Sequence, residues 1–144
     1  MIMNEVMAND NVYLKYNSPT NTKVRKLDIM KLRKLLNNMG FNPIANGTNY
    51  IIEELKYMIE NDINEIKTLK EVYSISAKLH NIDVKNIQWD VESAITIMKK
   101  CANPNLMRSI LYWYDNYKTI TPRFFMITML DYLNDNFNEY QKIN

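Results

Sequence analysis

The sequence predicts an all-α fold: a six-helix, bundle-like domain containing a helix-turn-helix, preceded by a flexible N-terminal arm. Three observations predict it. Only two of the 144 residues are glycine, whereas β-rich folds need glycine at turns and bulges. From Leu27 onward the apolar residues recur at the three- and four-residue spacing of a helix face. Capping signals also punctuate that stretch at short intervals. Hydrophobic residues make up 47% of the chain, enough for a sizeable core in a domain of this length.

Residues 1–26 are rich in Asn, Ser and Thr, with one short strand-like patch, Val12-Tyr13-Leu14. They are expected to form a flexible arm. The helical domain is expected over residues 27–138, with 139–144 as a tail. The first helix spans about Leu27 to Met39, with Leu27, Met30, Leu32, Leu35 and Leu36 as its apolar positions, and Gly40 as a left-handed stop. A second, from about Asn49 to Asn61, presents Ile51, Leu55, Met58 and Ile59 on one face. Thr68 and Glu71 form a capping box at the start of the third, which continues through Leu69, Val72, Tyr73, Ala77 and Leu79. Asn81 suits a left-handed stop, and Asp83 suits the cap of a fourth helix carrying Ile87, Val91, Ala94, Ile95 and Met98. Asn103-Pro104 and Thr121-Pro122 each place proline at a first helical position. The fifth helix then buries Leu106, Ile110 and Trp113 or Tyr114, and the sixth Phe125 or Met126, Leu130, Leu133 and Phe137.

The third and fourth helices are separated by a very short join, and the helix-turn-helix is expected over about residues 68–100. That motif needs a small residue in its first helix, a turn residue four positions later and a branched apolar residue in its second helix. Ala77, Asn81 and Ile87 meet these needs in order. Further residues carry a family likeness: Gly40, Gly47, Tyr50 and Glu53, then Lys70, Tyr73, Ala77, Lys78 and Asn81, then Ala94 and Ile95. Thr121, Phe125, Asp131 and Leu133 complete it after a gap of about two residues. From about Gly40 onward the chain resembles the C-terminal DNA-binding effector domain of the sporulation master response regulator (stage zero sporulation protein A) of Bacillus and Clostridium. The resemblance covers roughly three quarters of the chain and is ungapped from Gly40 to Ile95. It implies a fourth helix that enters the DNA major groove and a last helix that pairs two copies on tandem sites. The family also carries a phosphorylated receiver domain. About 26 residues precede the helical region, too few for a receiver, so control is expected from expression level, a partner or a ligand.

At positions where the family projects arginines toward DNA, this chain has Asn86, Trp89 and Glu92, and Asp90 stands where the family has a small buried residue. The base-reading candidates are Lys85, Asn86, Gln88, Trp89 and Ser93. Asn and Gln can each make paired hydrogen bonds to adenine, and Trp can pack on thymine methyls, so AT-rich double-stranded DNA is the expected partner. The net charge of +2 says little, but its distribution says more. Lys23, Arg25, Lys26, Lys31, Arg33 and Lys34 cluster against a lone Asp28. The phosphate-contact candidates are Lys23, Arg25, Lys26, Lys78, Lys99, Lys100, Arg108, Lys118 and Arg123; such contacts position a protein without specifying sequence. Phe124, Met129 and Tyr132 make the sixth helix apolar on more than one face and are the candidates for a homodimer contact.

Catalysis has little support. His80 is the lone histidine, placed at the stop of the third helix, where a cation suits the helix dipole. Glu53 and Glu54 have no His or Cys nearby in sequence, and neither a glycine-rich phosphate loop nor a nucleophile motif is present. No enzyme activity, cofactor, metal or small-molecule substrate is expected. Cys101, the single cysteine, excludes an internal disulfide and fits a reducing cytoplasm. The first residues lack a basic start followed by an apolar stretch, so no signal peptide is expected, and no apolar run is long enough to span a membrane. The expected function is sequence-specific DNA binding in transcription or on a mobile element's own DNA. The alternative is a protein-interaction module, such as an antagonist pairing with a full-length regulator.

Overall fold

The computed structural model describes residues 22–112, 114–116, 120–136 and 140–143. Six α-helices occur among them: α1 Ile29–Met39, α2 Asn46–Glu60, α3 Leu69–His80, α4 Val84–Cys101, α5 Pro104–Ile110 and α6 Pro122–Asn136. A single 3₁₀ turn, Tyr114–Asn116, follows α5. Two short strands, β1 Thr22–Arg25 and β2 Tyr140–Ile143, pair antiparallel with Thr22 opposite Ile143 and Arg25 opposite Tyr140. The chain divides into the unit holding these strands and a helical unit, Lys26–Asn138. The helical unit matches the expected span of 27–138 to within a residue, and the strand pair falls within the stretches expected as arm and tail, 1–26 and 139–144. It joins segments more than a hundred residues apart in sequence, which local pattern cannot reveal. The Val12-Tyr13-Leu14 patch lies outside the described residues.

Most helix ends fall where the backbone groups left over by helical hydrogen bonding find partners. Asp28 Oδ1 accepts from Met30 N–H at 2.9 Å and Lys31 N–H at 3.3 Å, starting α1. Gly40 ends it at φ 116°. There Gly40 N–H donates to Asn37 O and Phe41 N–H to Leu36 O, the paired bonds of a Schellman stop. Thr68 Oγ1 accepts from Glu71 N–H at 3.3 Å, and Asn103 Oδ1 caps α5 through Asn105 N–H at 3.0 Å. Thr121 Oγ1 accepts from Phe124 N–H at 3.2 Å, with Pro122 opening α6. Helix α2 starts at Asn46, three residues before the expected Asn49. No side chain caps it, and the Asn49 carboxamide instead accepts from Arg33 at 2.7 Å.

The helical unit has one core, to which every helix contributes. Leu32, Leu36 and Met39 of α1, Ile51, Leu55 and Met58 of α2, and Ile87, Val91 and Met98 of α4 are essentially inaccessible. Phe125 of α6 is fully buried, its ring 5.3 Å from that of Phe41 and tilted against it. Two expected apolar positions face outward: Met30 is 77% exposed and Leu79 67%. Each lies two residues from a buried position, Leu32 and Ala77, and two helical steps rotate a side chain by about 200°, away from the core. Trp113 and Phe137, expected in the core, lie outside the described residues.

The tightest packing is between α2 and α4. A Cβ at Gly47 would sit 2.0 Å from the carbonyl oxygen of Asp90 and 2.9 Å from Ala94 Cβ. No side chain fits there, so glycine sets how closely the two backbones approach. At Gly40 a Cβ would meet Met98 O at 2.9 Å, on top of the strain of its left-handed backbone. Both glycines of the chain therefore seat neighbouring elements against the backbone of α4. Replacing Gly47 by Ala is expected to destabilise the protein by about 3 kcal/mol or more, the upper range for overpacking, because the clash is with backbone. Urea unfolding followed by circular dichroism checks it; a loss under about 0.5 kcal/mol, the range of a neutral surface change, would refute the close approach.

Candidate nucleic-acid interface

Helices α3 and α4 are joined by Asn81, Ile82 and Asp83 alone. Asn81 adopts the left-handed conformation, φ 53° and ψ 49°, and Ile82 N–H donates to Ala77 O at 3.1 Å, which closes the end of α3. Asp83 Oδ1 then accepts from Lys85 N–H at 3.0 Å and opens α4. Ala77 and Ile87 are both buried. The small residue, the turn residue and the branched apolar residue thus hold the places that the sequence assigned to them.

Helix α4 is two-faced. Ile87, Val91, Ala94, Ile95 and Met98 all point inward. Lys85, Asn86, Trp89, Glu92, Ser93 and Thr96 are exposed, with Trp89 at 58%. Four of the five base-reading candidates, Lys85, Asn86, Trp89 and Ser93, therefore stand on one solvent-facing stripe, since positions three and four apart share a helix face. Gln88 is half-buried, and its Nε2 donates to Glu92 Oε2 at 3.2 Å. That pairing commits the Gln88 amide within the helix and places a carboxylate among the base-reading candidates.

The phosphate candidates separate. Lys26, Lys78, Lys99 and Lys100 are exposed. Arg25 is only 8% exposed, which corrects its place among the phosphate contacts. Arg108 is exposed, but its guanidinium donates to Asp115 Oδ2 at 2.8 Å and to Asn105 Oδ1 at 3.2 Å. Arg123 donates to the carbonyls of Ile66 at 3.1 Å and Lys67 at 3.2 Å, tying α6 to the α2–α3 loop. Its first role is structural, because those orphan carbonyls need donors. The side chain of Lys23 and the whole of Lys118 lie outside the described residues. On α6, Phe124 is about half exposed and Tyr132 partly so, but Met129 is fully buried. Met129 belongs to the domain's own core and is corrected as a dimer contact.

The structure also brings together a polar seam between α2 and α3. His80 Nε2 lies 2.8 Å from Glu53 Oε2, and its ring is 5.3 Å from that of Tyr50. Ser76 Oγ donates to Glu53 Oε1 at 3.1 Å. Glu53 thus has a histidine partner 27 residues away, where sequence proximity offered none. Next to it Glu54 is wholly buried, and neither carboxyl oxygen has a hydrogen-bond partner. The buried hydroxyls of Thr48 and Tyr73 are likewise unpartnered. The signal for the seam was spacing: Tyr50, Glu53 and Glu54 share a face of α2, and Ser76 and His80 a face of α3. Knowing that these two faces meet required the fold.

Among the described residues no three His, Cys, Asp or Glu side chains are grouped to hold a metal ion, and no helix is long and apolar enough to cross a membrane. Comparison with protein families, with characterised proteins and with solved structures returned no match. Because α4 is opened by the Asp83 carboxylate, Asp83→Ala is expected to cost about 1 kcal/mol of stability, the usual worth of an N-cap. Paired thermal or urea melts measure it, and a variant as stable as the parent would mean that α4 starts without its cap.

Proposed function

We propose that this domain is a sequence-specific DNA-binding regulator, acting in the cytoplasm on transcription or on mobile-element DNA, with α4 as its recognition helix. The observation that carries the reading is the two-faced α4. Its inner face is locked into the core, while Lys85, Asn86, Trp89 and Ser93 project from its outer face just past a three-residue turn. A helix held this way can lie in a major groove with its N-terminal residues on base edges. The resemblance to the sporulation regulator's effector domain supports the same use. Asn86 suits adenine and Trp89 the thymine methyl, which favours AT-rich sites. Lys78, Lys99 and Lys100 remain to neutralise phosphates. Two copies would pair on tandem sites through α6, with Phe124 and Tyr132 as the contact.

One observation favours the second reading. Glu92 stands exposed beside Trp89, and a carboxylate facing phosphates opposes DNA binding, whereas an exposed Trp is a favoured anchor in protein interfaces. On that reading the same stripe captures a protein partner and reads no DNA.

A selected-site binding experiment on the whole chain separates the two. Enrichment of a sequence is expected. Asn86→Ala and Trp89→Ala should then each cost about 1–3 kcal/mol on the selected site and almost nothing on random DNA, because phosphate contacts persist. Glu92→Gln should tighten binding to both DNAs by removing the repulsion, most visibly at low salt. If the wild type enriches no sequence, DNA reading by α4 is refuted and the interaction reading stands.

A further inference from the structure

Glu54 is the feature of this fold that neither the packing nor the α4 surface accounts for. Its side chain is fully buried in α2, a helix that packs against both α3 and α4. Gly47, Ile51 and Glu54 follow one another along one face of the helix at spacings of four and three, so Glu54 lies two turns beyond the contact of Gly47 with Asp90. Core carboxyls are normally paired, because an isolated charge in a low-dielectric interior is strongly disfavoured. Neither oxygen of Glu54 has a partner.

The groups around it make ionisation harder still. Glu53 precedes it on α2 and is occupied by His80 and Ser76 of α3. From α3 it is faced by the Tyr73 hydroxyl, which is itself buried and unpartnered. From α4, Glu92 acts on Tyr73, and Asp90 acts on Tyr50. Burial, chiefly, pushes the Glu54 carboxyl up to about 8; Glu53 adds to the rise, and the Ser76 hydroxyl opposes it. Burial also raises the Tyr73 phenol, with Glu54 and Glu92 adding to the effect.

We infer that Glu54 is a proton switch for the α2–α3–α4 junction: as the neutral acid it completes the core, and its ionisation loosens the seat of α4. The switch acts on the attachment of α4 and not on its outer face, whatever that face binds. The sign follows from proton linkage. The folded protein holds a proton on Glu54 that the unfolded chain releases at an ordinary carboxylate pKa near 4.5. Stability from this group is therefore complete below that value. It is lost as pH rises toward about 8, and it changes little above, once both states are ionised.

The test uses the whole chain in two paired measurements. One is the NMR titration of the Glu54 carboxyl carbon. The other is hydrogen-exchange protection of the α4 amides of Ile87, Val91 and Ala94 between pH 5.5 and 9, corrected for intrinsic exchange. The expected result is a Glu54 midpoint well above the ordinary carboxylate range. Protection of α4 should fall by up to tenfold per pH unit below that midpoint, one proton's worth, and the fall should vanish in Glu54→Gln. An ordinary midpoint overturns the inference, as does a wild-type protection profile parallel to that of the Gln variant. Should the Gln variant not fold, the wild type decides alone: α4 protection that does not level off at the Glu54 midpoint overturns the switch.

Discussion

The fold depends on the distance between two backbones. Helix α2 crosses α4 so closely that the space belonging to a Cβ at Gly47 is already occupied by the carbonyl of Asp90. A larger residue would prise α2 off α4 and open the core between Ile51, Leu55, Val91 and Ala94. Gly40 does the same service at the C-terminal end of α4, letting the close of α1 turn against Met98 and Cys101. In a chain with only two glycines, both are used against one helix. Close packing of this kind passes strain on, because interiors are as dense as organic crystals. The position of α4 is therefore set by contacts midway along its inner face and at its C-terminal end.

The α2–α3 seam follows from the same crossing. Once α2 is pressed onto α4, the face carrying Tyr50, Glu53 and Glu54 must meet α3. Ser76 and His80 supply partners for Glu53, but nothing supplies one for Glu54. A residue such as leucine would fill that volume without a desolvation cost, so a carboxyl in its place ties the junction's integrity to a proton. The seam lies behind the turn that launches α4, where Asn81 and Asp83 convert the end of α3 into the start of α4. Attachment and presentation of α4 are thus controlled from neighbouring turns of the same three helices.

Charge is distributed less simply than the basic residues suggest. Arg123 spends its guanidinium on loop carbonyls, and Arg108 pairs with Asp115. Lys99 and Lys100 occupy the last turn of α4, where they also favour the negative end of its dipole. What remains on the outer stripe of α4 is a mixture of one lysine, one carboxylate, small polar groups and a large exposed aromatic ring. That composition offers hydrogen-bonding groups and apolar surface more than net charge.

How much of this was legible in the sequence depends on the range of the interactions involved. Most helix boundaries set by caps were legible, because Thr68, Asp83, Asn103 and Thr121 bond to backbone two or three residues away, and Gly40 and Asn81 act on their own backbone; the Asp28 cap of α1 was not, since the apolar pattern begins at Leu27. The inner stripe of α4 was legible from periodicity alone. The pattern misplaces the start of α2, where no side chain caps the helix; it also starts α1 two residues early, at Leu27, and runs α5 past its end at Ile110. Everything that needed two distant segments to meet was decided by tertiary structure. It set the pairing of Thr22–Arg25 with Tyr140–Ile143, the burial of Met129 and Arg25, and the diversion of Arg123 to the α2–α3 loop. It also joined His80 to Glu53 and enclosed Glu54. By itself the sequence determined which residues are helical and which face of each helix is apolar, because those are matters of a few neighbouring residues. Which polar groups are enclosed and which remain free for a partner was settled only when α2, α3 and α4 closed on one another, since burial belongs to the packed whole.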